Sequence, residues 1–183
     1  MQYGFGVDIG GTTIKIGLFS VDGDLMEKWE IPTNKTDNGK YILTEIADFI
    51  NRTIEKKDIE KSDVMGVGLG VPGPVNKNGF VSVCVNLGWN SLNVEKEFHE
   101  ISGLPVKVGN DANVAALGEM WQGAGKGYQD VLMVTLGTGV GGGCVLNGQI
   151  VSGIHGAGGE IGHMPVRDDE KTPCNCGNHG CLE

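Results

Sequence analysis

Short apolar runs separated by glycine, proline and aspartate mark the first part of the chain. Residues 3–8, 14–19 and 25–31 each have the length and composition of a β-strand, and the third run stops at Pro32. Between the second and third runs, Val21-Asp22-Gly23-Asp24 has the composition of a tight turn. The pattern predicts three consecutive strands at the start of the fold.

The apolar spacing then changes to a helical period. Large apolar residues recur at helical intervals between Ile42 and Ile54, which predicts a helix over about residues 39–55. Asp37 or Asn38 is placed to cap its N-terminus, because both side chains accept hydrogen bonds from helix N–H groups.

Strand and helix signals alternate through the rest of the chain. The predicted elements are strands at 64–71, 80–85, 106–109 and 131–136, a short helix from residue 94 that ends at Gly103, and a helix at 112–121. An Asn147-Gly148 pair between apolar residues predicts a hairpin. We therefore expect an α/β fold in two parts, residues 1–118 and residues 119–183, because the sequence becomes glycine-rich near residue 118.

Charge and composition exclude several functional classes. The chain has 183 residues, 39% of them hydrophobic, which fits a globular protein of one domain or two small lobes. Lys and Arg number 14 against 23 Asp and Glu, and the net charge of −9 argues against binding to nucleic acid or to an anionic membrane. The N-terminal residues lack the basic and apolar regions of a signal peptide, and no segment is apolar enough to span a bilayer. We expect a cytoplasmic protein.

The segment after the first strand has the composition of a phosphate-binding turn. It combines an acid, two glycines, two threonines and a lysine, which are Asp8, Gly10, Gly11, Thr12, Thr13 and Lys15. Adjacent glycines can adopt positive φ and let backbone N–H groups approach an anion. The hydroxyls and the lysine would add donors and charge, and Asp8 could hold Mg²⁺ through water. The alternative is a plain hairpin turn with a solvated aspartate.

A second glycine-rich turn covers residues 137–143 and begins with Gly137, Thr138 and Gly139. It matches the G-x-G-x-x-G pattern of dinucleotide sites, but that fingerprint must open a helix. This run instead leads into the Asn147-Gly148 hairpin, so the dinucleotide reading fails. A second phosphate-binding turn remains, with a purely structural glycine turn as the alternative.

The predicted strand at 106–109 ends in Asn110 and Asp111, directly before a predicted helix. Open α/β sheets bind ligands at the carboxyl ends of their strands, which makes Asp111 a candidate for chemistry. Asn and Asp are also favoured helix N-caps, so the alternative is that Asp111 only stabilises the helix.

A cluster of cysteines near the C-terminal end predicts a metal site. Cys174, Cys176 and Cys181 lie within eight positions, and a histidine would complete a closed tetrahedral zinc set. The spacing does not distinguish His163 from His179 as the fourth ligand. The alternatives are a disulfide or free thiols, and a reducing compartment favours the metal. The two remaining cysteines lie in apolar runs and are predicted to be buried.

Taken in order over nearly the whole chain, these motifs resemble those of the ROK family of sugar kinases, and within it the bacterial glucokinases. The segments that carry the resemblance are Asp8-Ile9-Gly10-Gly11-Thr12, Asn110-Asp111-Ala112-Asn113, Leu136-Gly137-Thr138-Gly139, Glu160-x-Gly162-His163 and Cys174-x-Cys176-Gly177-x-x-Gly180-Cys181-x-Glu183. The resemblance implies an actin-like ATPase fold with ribonuclease-H-like lobes. The first lobe would be complete, and the second would be partial and carry the zinc loop.

The same resemblance implies the roles of individual residues. Asp111 would be the general base, ATP would bind at the two glycine turns with Mg²⁺, and sugar and ATP would meet between the lobes. The implied sugar contacts are Asn110, Asp111, Glu160, His163 and Glu183, with Gly73 and Asn86 lining the pocket. The implied ligands of a structural Zn²⁺ are His163, Cys174, Cys176 and Cys181.

The implied reaction is transfer of the γ-phosphoryl group of ATP to the 6-hydroxyl of a hexose, with glucose favoured, as in the entry to glycolysis. Kinases of N-acetylhexosamines or fructose, a sugar-responsive regulator without catalysis, and a zinc module retained for assembly are the alternatives. Such regulators carry a helix-turn-helix ahead of the first motif, for which the residues before Asp8 leave no room. Family kinases continue well beyond position 183, so we expect a truncated chain that is inactive alone, and a dimer for the full-length protein.

Overall fold

The computed structural model describes residues 1–137, 139–174 and 176–183. They form two compact units, Met1–Asp111 and Ala112–Glu183. The units therefore divide between Asp111 and Ala112, whereas the composition of the chain suggested residue 118. Among the described residues, no helix combines the length and the apolar character needed to cross a lipid bilayer.

The first unit contains a mixed five-stranded sheet and a separate hairpin. Its strands are β1 (Tyr3–Ile9), β2 (Thr13–Ser20), β3 (Leu25–Pro32), β4 (Val64–Val71), β5 (Phe80–Cys84), β6 (Trp89–Asn93) and β7 (Val106–Asn110). The sheet order is β3-β2-β1-β4-β7, and β5 pairs with β6. β2 is antiparallel to both β1 and β3, whereas β1, β4 and β7 run parallel. The mixed α/β character predicted from the sequence is confirmed.

The turn between β2 and β3 lies at the predicted place. The Gly23 N–H donates to the Ser20 carbonyl at 3.0 Å, and the φ of Gly23 is +91°, a value that favours glycine. The three consecutive strands predicted at the start of the fold are therefore confirmed.

Two helices complete the first unit, α1 (Ile42–Lys56) and α2 (Val94–Ser102). Alternate residues of the strands and one face of α1 form the core, as the periods of two and 3.6 residues require. The largest fully buried side chains of β2 and α1 are Ile14, Ile16, Leu18, Ile42, Ile46 and Ile50. α2 ends at Gly103, whose φ is +67°, as predicted.

The predicted start of the first helix is wrong. α1 begins at Ile42 and its N-cap residue is Tyr41, so neither Asp37 nor Asn38 caps it; both adopt left-handed backbone angles, with φ of 51° and 58°. The short turn Thr36–Gly39 closes over Trp89 instead, and the Trp89 indole N–H donates to the Gly39 carbonyl at 3.1 Å. This contact spans 50 positions along the chain, so local sequence rules could not reveal it.

The second unit contains a three-stranded antiparallel sheet. Its elements are the helix α3 (Asp111–Gln122), whose first residue belongs to the first unit, and the strands β8 (Val131–Leu136), β9 (Val140–Leu146) and β10 (Gln149–Ile150). The sheet order is β10-β9-β8. Asn147 and Gly148 both have positive φ, 51° and 73°, as a type I′ hairpin requires, so the predicted hairpin is confirmed.

The predicted length of the second glycine turn is wrong. β9 begins at Val140, so Gly141–Gly143 lie in a strand and not in a turn. A Cβ atom on Gly143 would lie 2.7 Å from Cβ of Ala116 in α3, and one on Gly142 would lie 2.7 Å from Cγ1 of Ile161. Only glycine fits at these two positions, because neighbouring elements pack directly against β9.

Candidate functional site

In the first unit, candidate residues lie at the ends of three neighbouring parallel strands. Asp8 in β1 pairs in register with Gly70 in β4, and Val71 at the end of β4 pairs with Asn110 at the end of β7. The carboxyl ends of β1, β4 and β7 therefore meet at one edge of the sheet. Ligands of α/β proteins bind at this edge.

The first glycine turn is tight, but it does not use the backbone freedom that the sequence suggested. Neither Gly10 nor Gly11 has positive φ. The Gly10 N–H donates to the Thr13 carbonyl at 3.0 Å, and a Cβ atom on Gly10 would lie only 2.8 Å from that oxygen. Gly10 is therefore required for space, and the expectation of positive φ is wrong.

A residue that the sequence analysis missed fixes this turn. Thr33, just after β3, donates from Oγ1 to the Gly10 carbonyl at 2.7 Å, and its N–H donates to the Thr12 carbonyl at 2.9 Å. The only sequence signal was the position of Thr33 directly after Pro32, where the strand was predicted to stop. Thr12 is exposed, and Thr13 opens β2.

Asp8 and Lys15 lie opposite each other on β1 and β2. Lys15 Nζ is 3.9 Å from Asp8 Oδ2, and the two side chains are 65% and 57% exposed. An ion pair this long and this exposed is weak. The carboxylate of Asp8 is therefore open to solvent at the strand end, where a hydrated cation could reach it.

Beyond β4, a turn at Pro72 and Gly73 contacts the end of β7. Asn110 is buried and donates from Nδ2 to the Gly73 carbonyl at 3.3 Å, while Sγ of Cys84 donates to the Pro72 carbonyl at 3.2 Å. Burial raises the pKa of the Cys84 thiol, and the nearby negative charge of Asp111 raises it further. Cys84, predicted only to be buried, thus bonds to the Pro72 turn and lies within the electrostatic range of the candidate acid.

Asp111 is the first residue of α3 and is partly buried. A carboxylate at this place interacts favourably with the N-terminal end of the helix dipole. The position is therefore compatible both with stabilisation of α3 and with chemistry at the strand end.

Asn86 lies in a single 3₁₀ turn, Val85–Leu87, which connects β5 to β6, and its side chain is exposed. A Cβ atom on Gly11 would lie 3.5 Å from the Asn86 carbonyl oxygen and 3.6 Å from its Cβ. The structure thus brings Asn86 against the first glycine turn.

In the second unit, the glycine turn between β8 and β9 closes on itself, since the Gly137 N–H donates to the Gly139 carbonyl at 3.0 Å. Thr138 lies outside the described residues. A Cβ atom on Gly139 would collide with Oε2 of Glu183 and lie 3.0 Å from its Cδ. The carboxylate of Glu183 therefore lies directly against this turn.

Glu160 precedes the 3₁₀ turn Ile161–His163, and His163 is its last residue. Glu160 is exposed, and its carbonyl accepts from the His163 N–H at 3.2 Å. The Gly162 carbonyl accepts from the Glu183 N–H at 2.9 Å, which joins this turn to the end of the described chain. The structure thus brings together Glu183, His163 and the second glycine turn.

Four side chains converge in a metal-ligand geometry. The ligand atoms of His163, Cys174, Cys176 and Cys181 all lie within 4.8 Å of one another. Sγ of Cys176 is 3.7 Å from Sγ of Cys181, and Sγ of Cys174 is 3.6 Å from Nδ1 of His163. A zinc tetrahedron with Zn–S bonds of ~2.3 Å has edges of about 3.8 Å, so the donor set fits this ion. His179 is not a member of the group.

The thiols of this group differ in acidity. The Asn178 N–H holds the pKa of Cys176 below its ordinary value, since it stabilises the thiolate. Desolvation, together with the neighbouring thiols, raises the pKa of Cys181 to about 12. A divalent cation would stabilise the thiolates that this crowding disfavours.

Comparison with known proteins assigns the chain to a family. The model of the ROK family matches residues 4–183. The chain belongs to the ROK family. A glucokinase of Halalkalibacterium halodurans is 51% identical to it over 179 residues, which are 97% of this chain and 54% of the relative.

Two solved ROK structures are similar to this chain. A ROK family glucokinase from Streptomyces griseus, in complex with glucose and AMPPNP, has a TM-score of 0.78 and 35% identity, covering 98% of this chain and 55% of that one. A ROK family transcriptional regulator, a homologue of the E. coli MLC protein, has a TM-score of 0.86 and 26% identity, covering 99% and 46%. The chain thus spans about half the length of the relatives it matches.

Proposed function

We propose that the protein is an ATP-dependent hexose kinase that transfers the γ-phosphoryl group of ATP to the 6-hydroxyl of glucose. One observation carries the proposal. Asp8, Gly73 and the Asn110-Asp111 pair lie in or just after the carboxyl ends of three neighbouring parallel strands, at the sheet edge where α/β proteins bind ligands. The similarity to glucokinases supports glucose as the acceptor.

In this proposal Asp111 is the general base. It accepts the proton of the 6-hydroxyl as that oxygen attacks the γ-phosphorus, a role worth about 10²–10⁴-fold in rate. The position of Asp111 between the end of β7 and the start of α3 supports the role, because both elements hold the carboxylate in one place. Asn110, fixed by its hydrogen bond to Gly73, would bind the sugar beside it.

Phosphoryl transfer depends mainly on positioning and on stabilisation of charge at the phosphoryl oxygens. We assign the phosphate contacts to the two glycine turns and their neighbours, which are Gly10, Gly11, Thr12, Thr13, Lys15, Gly137, Thr138 and Gly139. Bound Mg²⁺ supplies neutralisation of phosphate charge, and the exposed carboxylate of Asp8 is the group that would hold it through water.

Sugar selectivity is proposed to come from polar contacts that a wrong hydroxyl pattern would leave unpaired. The proposed sugar contacts are Gly73, Asn86, Asn110, Glu160, His163 and Glu183. The zinc set His163, Cys174, Cys176 and Cys181 would hold the loop and orient His163 without taking part in the chemistry. An N-acetylhexosamine or fructose is the alternative acceptor.

We further propose that the two units are the first lobe and the beginning of the second lobe of an actin-like fold. The solved ROK structures support this assignment through their TM-scores. A dimeric, cytoplasmic protein is part of the same proposal, and light scattering on the complete gene product tests the dimer.

A second candidate function is sugar-responsive regulation without catalysis. The observation in its favour is the TM-score of 0.86 to a ROK family transcriptional regulator, which is higher than the 0.78 to the glucokinase. Regulation is the second candidate because the regulator is less identical in sequence to this chain than the glucokinase is, 26% against 35%.

The deciding experiment measures ADP release by the complete gene product with glucose, fructose and N-acetylglucosamine. We expect the protein to release ADP, with the highest kcat/KM for glucose. If hexose binds but no sugar leads to release of ADP, the result would contradict the proposed kinase activity and support a regulatory function. A higher kcat/KM for another sugar would contradict only the choice of glucose.

A further inference from the structure

Residues 33–39 connect β3 to the residues before α1, and we call them the 33–39 strap. Its first anchor is at the first glycine turn. Thr33 Oγ1 donates to the Gly10 carbonyl at 2.7 Å, and the Thr33 N–H donates to the Thr12 carbonyl at 2.9 Å. The start of the strap is therefore held by the proposed phosphate-binding turn.

The middle of the strap is anchored to α1. Asn34 Nδ2 donates to Glu45 Oε1 at 2.7 Å, and Asn34 Oδ1 accepts from the Thr36 N–H at 3.1 Å. Both contacts lie outside the core, so this anchor can be removed without leaving a buried cavity.

The far end of the strap is held by Trp89. Its indole N–H donates to the Gly39 carbonyl at 3.1 Å in a buried contact, and the Trp89 residue is only 5% exposed. Asp37 and Asn38 adopt strained left-handed angles, which persist only where surrounding contacts impose them. The strap and Trp89 both border a surface cavity of about 330 Å³, and the buried restraint on Gly39 is the hydrogen bond from the Trp89 indole.

The same contacts hold the turn that carries Asn86. A Cβ atom on Gly39 would lie 2.9 Å from Trp89 Nε1 and would collide with the Leu87 carbonyl, and one on Gly88 would lie 3.0 Å from Asn38 Cα. The end of the strap therefore packs backbone to backbone against the Asn86 turn. Asn86 itself lies against Gly11.

We infer that Trp89 is a positioning residue of the hexose site. By holding Gly39, it presses the 33–39 strap against the Val85–Leu87 turn and so fixes Asn86 relative to the first glycine turn. The inference rests on the proposed function, which assigns Asn86 to the sugar pocket. Trp89 itself is not assigned a contact with sugar.

The test is Trp89→Phe in the complete gene product, which removes the N–H and keeps an aromatic ring. Loss of a buried hydrogen bond changes an equilibrium constant by about 5- to 30-fold. We expect the KM for glucose to rise by that factor, with kcat and the KM for ATP changed less than about 2-fold, since the restraint acts on Asn86. Amide hydrogen exchange at Gly39 and at the Val85–Leu87 turn should accelerate by a similar factor.

Trp29→Phe is the matched control, because Trp29 lies in β3 and packs edge-on against Phe49. It should leave the KM for glucose unchanged. If Trp89→Phe fails to fold, Asn34→Ala releases the middle anchor outside the core and should raise the KM for glucose in the same direction.

The inference would be overturned if Trp89→Phe lowered kcat equally for all substrates and also accelerated amide hydrogen exchange throughout β1 and β4. Trp89 would then stabilise the fold in general. Unchanged exchange at Gly39 and at the Asn86 turn would overturn it as well. If the wild-type protein phosphorylates no hexose, the proposed function fails, and the exchange measurement still decides whether Trp89 holds the Asn86 turn.

Discussion

Nδ1 of His163 faces Sγ of Cys174 at a distance of 3.6 Å. If Nδ1 is the metal ligand, Nε2 remains as the nitrogen that can hydrogen-bond a sugar hydroxyl, because each ring nitrogen serves one partner. The geometry therefore supports separate roles for the two ring nitrogens, in which metal binding at Nδ1 would set the orientation of Nε2.

Removal of one thiol should abolish metal binding. We expect the complete gene product to hold about one zinc ion per chain at this site and Cys176→Ser to lose it, since a closed structural site needs all four ligands. Elemental analysis of the purified proteins measures the ratio. Cys144→Ser is the control, because Cys144 lies in β9 and outside the ligand group. Equal zinc content in both variants would contradict the assignment.

Metal affinity should rise with pH. Without metal the pKa of Cys181 is about 12, so this thiol keeps its proton at neutral pH and must release it when the metal binds. Zinc added to chelator-treated protein should therefore release protons, and its affinity should increase from about pH 6 to pH 8. Calorimetry in buffers of different ionisation enthalpy counts the protons. Binding without proton release would exclude Cys181 as a thiolate ligand.

Asp111→Asn should separate binding from chemistry. The amide cannot accept the hydroxyl proton, so we expect kcat to fall by about 10²–10⁴-fold. The side chain keeps its size, so glucose should still bind, as measured by calorimetry. Turnover close to that of the wild type would remove Asp111 from the role of general base.

Gly10→Ala and Gly11→Ala form a matched pair. A methyl group on Gly10 would lie 2.8 Å from the Thr13 carbonyl oxygen, whereas the nearest atom to one on Gly11 is 3.5 Å away. We expect Gly10→Ala to lower the free energy of unfolding by about 1–3 kcal/mol, as overpacking does. Gly11→Ala should change it by less than about 0.5 kcal/mol. Urea unfolding measures both, and equal losses would show that the turn does not have the described geometry.

The elements that the sequence predicted well depend on local rules. Alternating apolar residues give the strands, Asn147-Gly148 gives the hairpin because both positions need positive φ, and Gly103 ends α2 for the same reason. The parallel pairing of β1, β4 and β7 could not be predicted in the same way, because the register between distant strands has no local signal in the sequence.

The parts that could not be predicted depend on distant contacts. The left-handed angles of Asp37 and Asn38 accompany a hydrogen bond between Trp89 and Gly39, far apart in the chain. Gly143 lies in a strand because it pairs with Met133 of β8, and it is glycine because α3 leaves no room for a side chain there. His163 is distinguished from His179 only by the loop that brings it to the cysteines.

Glu183 contacts two features of the second unit at once. One carboxylate oxygen lies 3.6 Å from Sγ of Cys174, and the other lies in the space beside Gly139. A single side chain thus connects the proposed metal ligands to the glycine turn. Reciprocity of binding equilibria then requires that, if zinc tightens nucleotide binding through Glu183, nucleotide tightens zinc by the same factor.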